Sequence, residues 1–214
     1  MGSGAPVETE VKFRLDDRAA FESRLEALGA RRGETENERN VLFDDAAETL
    51  RAGGCALRLR TTERGTLLTF KGKASFSGGV KSRLEMESGV EKPEAIASLL
   101  AALGYAPRFT YEKRRTTWRF LDPSRPLVVV DETPLGLFAE IEGTDAAVRA
   151  LASAFGISES AFLPESYAGL WMKAREADPT LPAHMVFERE EGGTGGANPA
   201  PHAASTDDAP PGRE

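Results

Sequence analysis

Val7-Glu8-Thr9-Glu10-Val11-Lys12-Phe13-Arg14-Leu15 alternates apolar and charged residues along almost its whole length. On an extended chain residues i and i+2 face the same way, so Glu8, Glu10, Lys12 and Arg14 share one side while Val11 and Phe13 share the other. The segment reads as a strand with one apolar face and one face charged in both signs. The same habit recurs downstream. Leu57-Arg58-Leu59-Arg60 sets two arginines against two leucines, and Lys71 shares a face with Thr69, opposite Phe70. Lys81, Arg83, Glu85 and Glu87 oppose Leu84 and Met86, while Lys113, Arg115 and Arg119 oppose Trp118 and Phe120. Asp131 aligns with Val129, and Glu140 and Glu142 oppose Ala139 and Ile141.

One such strand is an ordinary antiparallel strand with a wet face. Most strands of a chain repeating charges at i, i+2, with both signs in blocks, is a different matter. A barrel closed around a charged interior explains it, its apolar outer face covered by helices. The expected strands are Val7–Leu15, Arg39–Phe43, Ala56–Thr62, Thr66–Lys71, Val80–Gly89, Thr110–Phe120, Leu127–Glu132 and Leu137–Glu142. Glu63-Arg64-Gly65 is a hairpin turn. Asp16 or Asp17 caps a helix bearing Phe21, Leu25 and Leu28, which ends near Gly29. Glu94–Leu103 is a helix between Pro93 and Gly104, and Asp145–Phe155 and Tyr167–Arg175 are two more. The fold class is α+β: an eight-stranded antiparallel β-barrel, a tunnel with a charged interior, flanked by helices.

Composition narrows the chemistry. The chain has 214 residues, with 27 Lys plus Arg against 34 Asp plus Glu and a net charge of −7, so no global basic excess favours nucleic acid. Cys55 is the sole cysteine, which excludes an intramolecular disulfide and a cysteine-only zinc site. The two histidines, His184 and His202, both fall in a polar C-terminal stretch, so the folded part holds no Ser-His-Asp or Cys-His machine. No apolar run approaches the ~20 residues that span a bilayer. MGSGAPVETE lacks the basic and apolar regions of a signal peptide, and the expected location is cytoplasmic. Residues 1–5 are expected to be a flexible N-terminus, 6–175 the folded domain, and 176–214 a disordered low-complexity tail that holds 6 of the 13 prolines. The state expected in solution is a monomer or homodimer. Trp118 and Phe120 read as core residues, and Trp171 and Met172 as packing residues able to seat the last helix across one tunnel mouth.

Burying a dozen charges is costly unless they pair and carry a ligand. Arg and Lys grip phosphate oxygens. Clustered carboxylates without His suit Mg²⁺ or Mn²⁺, which prefer oxygen ligands. The joint pattern points to a small polyphosphate held together with a divalent cation.

These residues also resemble the CYTH superfamily, the triphosphate tunnel metalloenzymes, which includes class IV adenylate cyclases and thiamine-triphosphatase-like enzymes. Glu8-Thr9-Glu10-Val11-Lys12 is similar to its ExExK signature and Arg58-Leu59-Arg60 to its RxR strand. Thr69-Phe70-Lys71-Gly72 resembles its lysine strand, Arg83-Leu84-Glu85-Met86-Glu87 its acidic strand, and Lys113-Arg114-Arg115 its KxR strand. Asp131 followed by Leu135-Gly136-Leu137-Phe138-Ala139-Glu140-Ile141-Glu142 resembles its ending, and Ser166-Tyr167 the pair before its closing helix. The likeness runs from about Val7 to Lys173. It implies that Lys12, Arg58, Arg60, Lys71, Lys113 and Arg115 bind a triphosphate. It implies that Glu8, Glu10, Asp131, Glu140 and Glu142 hold one or two Mg²⁺ or Mn²⁺ ions or position water, with Glu8, Glu10 and Lys12 catalytic. Arg83, Glu85 and Glu87 are possible additions. One departure is Leu42-Phe43-Asp44, where many members carry an aromatic pair before the aspartate. The implied activity is metal-dependent hydrolysis of a triphosphate compound: tripolyphosphate, thiamine triphosphate or a nucleoside triphosphate. The alternatives are an adenylate cyclase, for which Phe43 or Tyr111 could stack adenine, and a non-catalytic polyphosphate-binding module.

Overall fold

The computed structural model describes residues 6–188. The expected flexible residues 1–5, and residues 189–214 of the expected tail, lie outside that range. Nine strands and five α-helices alternate as β1 (Val7–Arg14), α1 (Arg18–Ala27), β2 (Ala30–Asp44), α2 (Thr49–Ala52), β3 (Ala56–Thr62), β4 (Gly65–Lys71), β5 (Ser75–Ser77), β6 (Val80–Val90), α3 (Pro93–Ala102), β7 (Ala106–Phe120), β8 (Leu127–Thr133), β9 (Gly136–Glu142), α4 (Asp145–Ala154) and α5 (Tyr167–Ala177). The strand order is β1-β9-β8-β7-β2-β3-β4-β6-β5, and β6 also pairs with β1. That last pairing, Val7 to Leu84 through Glu10 to Lys81, closes eight antiparallel strands into a barrel and leaves the short β5 outside the ring. The barrel expected from the alternating charges is the fold observed.

The apolar core lies outside the barrel. Phe21 and Leu25 of α1 and Val148, Leu151 and Ala152 of α4 pack on Val11, Phe13, Trp118, Val128, Val130, Ala139 and Ile141, the outward residues of β1, β7, β8 and β9. On the opposite side Leu100, Ile96 and Ala97 of α3 pack on Phe43, Leu59, Val41, Leu57, Leu68 and Val90. Caps set where helices begin. Asp17 accepts from Ala20 N at 2.9 Å, Thr144 from Ala147 N at 3.4 Å, and Ser166 from Gly169 N at 3.1 Å. Pro93 opens α3, where its missing N–H costs nothing. Among the described residues no helix is long and apolar enough to cross a membrane.

β2 is much longer than its pattern suggests, and β7 begins four residues earlier, at Ala106. The segment Arg31–Asn37 carries no apolar alternation, yet β2 starts at Ala30 and pairs with β7 from Ala30–Phe120 to Asp44–Ala106. A register shift between Arg32 and Thr35 interrupts the ladder. Gly33 sits in it, where a Cβ would lie 3.0 Å from the Thr117 carbonyl.

The segment expected to begin a disordered tail is, as far as Glu188, built into the fold. Met185 forms a parallel bridge with Tyr111 and is fully buried. Composition averages over the stretch and so does not single out residues 178–188. Leu181 and Met185 are few, but both enter the aromatic cluster, and Phe187 lies under the Arg114 guanidinium.

Candidate active site

The inward residues of the barrel line a cavity of about 860 Å³. Its walls carry Lys12, Arg58, Arg60, Lys71, Lys81, Arg83, Lys113 and Arg115 together with Glu8, Glu10, Glu38, Glu85, Glu87, Glu140 and Glu142. One end is filled. Tyr111, Phe138, Tyr167, Trp171 and Met185 form a buried cluster with Leu42, Phe109 and Leu170, and α5 and the segment after it seat across that end. At the other end Glu36, Thr62, Arg64, Thr117, Arg119 and Leu127 border the cavity. They lie farther along β2, β3, β7 and β8 from the cluster, so the tunnel opens there.

The charges fall into three groups. The first is a tight anchor. Asp131, with no exposed surface, accepts from Lys113 Nζ at 3.0 Å, from Arg115 Nε at 2.7 Å and from the Tyr167 hydroxyl at 2.7 Å. Glu140 pairs with Lys12 at 3.1 Å and with Arg115. Lys12 also donates to the Glu165 carbonyl at 3.2 Å and stands 4.0 Å over the Tyr167 ring. Burial alone would push Glu140 up, but Lys12, Arg115 and Lys113 hold its carboxyl well below the ordinary range. Glu38 is the same case. Burial opposes its charge, while Lys113, Arg115, Arg60 and Arg58 outweigh it and hold the group at about 2.

The second group is the cations outside that anchor, with the arginines held more loosely than the lysines. Arg58 reaches Glu85 and Glu87 only at 3.8 and 3.9 Å, and its Nε is buried without a partner. It donates long bonds of 3.4 Å to the Tyr111 hydroxyl and to Thr69. Arg60 lies 3.2 Å from Glu87 and 3.5 Å from Glu38. Arg83 makes no ion pair among the described residues, and its Nε is also buried without a partner. Lys71 is paired with Glu85 at 2.6 Å and Glu8 at 3.3 Å, and Lys81 with Glu10.

The third group is a carboxylate trio. Glu8, Glu10 and Glu142 each bring an oxygen within 4.8 Å of the others. Register explains it: Glu10 lies opposite Glu142 across β1–β9, and Glu8 follows on the same face of β1. Burial, then the neighbouring Glu140, Glu8 and Glu10, push Glu142 up to about 7 against the pull of Arg115. Burial and a hydrogen bond with Glu85 push Glu8 up as well. Two of the three groups thus hold a proton more tightly than in water, chiefly because they are buried. Oxygen-only donors suit a hard divalent cation such as Mg²⁺ or Mn²⁺, which would displace the bound proton, and the trio's spacing fits one.

Of the residues expected to ligate metal, the structure gathers Glu8, Glu10 and Glu142 and sets Asp131 and Glu140 among the cations instead. The expected phosphate binders all face the lumen, as do Glu85 and Glu87. Phe43 does not: it packs outward beneath α3. Tyr111 does border the cavity, but its hydroxyl is engaged by Arg58 and its ring by the end cluster. The sequence pattern does not reach Glu38, because the strand it announces starts at Arg39, whereas β2 starts at Ala30. The pattern left Tyr167 without a role and Lys81 as one charge in a row. For Glu38 a signal existed, since Glu36, Glu38 and Asn40 share a face at i, i+2.

Residues 7–165 match the model of the CYTH domain family. This chain belongs to the CYTH family. A Methanocaldococcus jannaschii protein carrying an adenylate cyclase name is 26% identical over 136 residues, 64% of this CYTH chain and 76% of that protein. A Vibrio parahaemolyticus structure, also named for adenylate cyclase, superposes with a TM-score of 0.67 at 22% identity, covering 79% of this chain and 99% of that one. The Hippeastrum protein HpAC1, described as an adenylyl cyclase with a dominant triphosphatase activity, gives 0.62 at 20% identity, over 78% and 96%. At such identity the two structures speak for the shared CYTH barrel.

Proposed function

We propose that this CYTH chain hydrolyses the terminal phosphoanhydride bond of a triphosphate compound with the help of Mg²⁺ or Mn²⁺. The observation that carries this reading is the division of the lumen: loosely held Arg58, Arg60 and Arg83 face into the same cavity as the Glu8, Glu10 and Glu142 trio. The trio would hold the cation. When bound, it supplies charge neutralisation at phosphoryl oxygens and activation of water. Phosphoryl transfer asks little else of a protein than positioning and charge complementarity.

The chain's own residues divide the remaining work. With one end filled, phosphates enter first and the organic part remains toward the open mouth. Arg58, Arg60 and Arg83 turn from weak or missing partners to phosphate oxygens, exchanging a poor charge pair for a charge-assisted bond. Lys113 and Arg115 stay fixed on Asp131 and present their remaining N–H groups. Lys12, held between Glu140 and the Tyr167 ring, takes up charge near the closed end. Cyclisation of ATP would need a face for adenine; Phe43 points out of the barrel and Tyr111 is engaged, so hydrolysis is the better supported reading.

The test is incubation with tripolyphosphate or ATP, with and without Mg²⁺ or Mn²⁺, with products resolved by ³¹P NMR and chromatography. Orthophosphate formed only with the cation is the expected result. Cyclic AMP and pyrophosphate from ATP would overturn it in favour of cyclisation, and binding without turnover in favour of a sensor.

A further inference from the structure

The strand β8 pairs with β7 only over Arg114–Trp118. The opposite edge of β7 is taken by β2 throughout. The N-terminal half of β7 would therefore leave one row of backbone groups without a strand partner. The segment 178–188, beyond the stretch that matches the family, fills this gap. Met185 N donates to the Thr110 carbonyl at 3.1 Å, and Glu112 N donates to the Met185 carbonyl at 2.8 Å. His184 Nδ1 accepts from Thr110 N at 3.3 Å. Trp171 Nε1 donates to the Pro182 carbonyl at 3.0 Å, Arg175 Nε to the Leu181 carbonyl at 3.2 Å, and Phe187 N to Glu112 at 3.3 Å. Arg114 lies 4.3 Å over the Phe187 ring. Seven attachments, from α5 to β7, hold one strap.

The Met185 side chain enters the cluster of Tyr111, Phe138, Tyr167 and Trp171. A thioether is shaped and polarised to fill such an aromatic gap. Both tyrosines carry their hydroxyls to the charged lumen: Tyr111 accepts from Arg58, and Tyr167 donates to Asp131, which holds Lys113 and Arg115. The Tyr111 hydroxyl is thus bonded directly to a cation facing the cavity, the Tyr167 hydroxyl reaches two more through Asp131, and each ring is set by the cluster that Met185 completes.

We infer that Met185 is a positioning residue: it seats the Tyr111 and Tyr167 rings, and through them sets the guanidinium of Arg58 and the Asp131 anchor for a bound polyphosphate. This rests on the reading of the lumen as a polyphosphate site. A strap that merely stabilised the barrel would leave substrate affinity untouched once the protein is folded. A positioning strap changes it.

The experiment uses the full 214-residue chain with Met185→Ala, Met185→Val and Met185→Leu. Below the unfolding temperature, M185A is expected to raise KM for tripolyphosphate about tenfold, a size usual for coupling through packed side chains. M185L is expected to restore the wild-type value, and M185V serves if M185A does not fold. In combination with Tyr111→Phe the M185A effect should shrink, because both act through the same hydroxyl. The second readout needs no turnover: the Arg58 Nε–H cross-peak in an NMR spectrum should shift or broaden in M185A and return in M185L. A lowered melting temperature with KM and the Arg58 signal unchanged would overturn the inference. An inactive wild type would defeat the proposed function, while the Arg58 signal would still decide the role of Met185.

Discussion

At the scale of single residues, the lumen sorts its cations by how much each has to lose. Arg83 has no ion pair among the described residues and a buried Nε without a partner. Arg115 is gripped by Asp131 and Glu140. Removing one member of a buried, hydrogen-bonded pair leaves an uncompensated charge, and removing an unpaired one does not. Arg83→Ala is therefore expected to leave the melting temperature near wild type while raising KM for tripolyphosphate some ~10- to 100-fold, the value of a charge-assisted bond of ~1.5–3 kcal/mol. Arg115→Ala should lower both melting temperature and turnover. Equal melting temperatures for the two variants would remove this distinction. Glu38 gives a pH signature. Its carboxyl is held at about 2 when folded, against an ordinary 4.5, so its stabilisation is complete above pH 4.5 and is lost as pH falls through about 2. The stability advantage of wild type over Glu38→Gln should be flat above pH 4.5 and shrink by about 3 kcal/mol toward pH 2, read from denaturant midpoints across that range. None of this ranking is legible in the sequence. Arg58, Arg83 and Arg115 all occupy inward positions on charged strands, and only their distances to carboxylates tell them apart.

At the scale of elements, legibility follows the apolar partner of each strand. β1, β3, β4, β8 and β9 set apolar residues against helices outside the barrel, and their alternation announced them. β2 from Ala30 to Glu38 has no such partner over most of its length: it is held by backbone pairing with β7 and by charge pairs. Nothing in its local pattern distinguishes it from a polar loop, and Glu38 was missed with it. The strap at Met185 escaped for a related reason, since its few apolar residues are meaningful only against the aromatic cluster they enter. Where helix meets barrel the physics is ordinary packing. Leu25 of α1 is fully buried among Phe13, Phe21 and Trp118. Leu25→Ala is expected to cost ~2–5 kcal/mol through lost transfer energy and a residual cavity. It should do so without altering KM below the melting temperature, because no charged residue of the lumen leans on α1's core face. A shifted KM at preserved fold would mean that the outer core and the lumen are coupled.

At the scale of the whole molecule, the barrel inverts the usual arrangement of a small domain. Its apolar core is outside the ring, divided between two helix-covered faces, and its interior is a closed set of opposed charges. Most of these charges offset one another in pairs, which is how the chain tolerates so many inside. The exceptions are informative: Glu142 reaches a cation only at 3.8 Å while standing beside Glu8 and Glu10, and Arg58 and Arg83 each bury an Nε without a partner. A cation relieves the first imbalance and a polyanion the second, and both sit in one low-dielectric lumen, so each should strengthen the binding of the other. By linkage the enhancement is reciprocal. Saturating Mg²⁺ is expected to tighten tripolyphosphate binding by about 5- to 150-fold, the range of ~1–3 kcal/mol for coupled sites, and tripolyphosphate to tighten the cation by the same factor. Calorimetry, corrected for the complex the two form in free solution, measures both halves of the cycle. Glu142→Gln should abolish the coupling while leaving polyphosphate binding without cation nearly intact, because Glu142 touches the cations only through a 3.8 Å approach to Arg115. Independent binding in wild type, or coupling that survives in E142Q, would show that the trio and the basic wall do not act on one ligand.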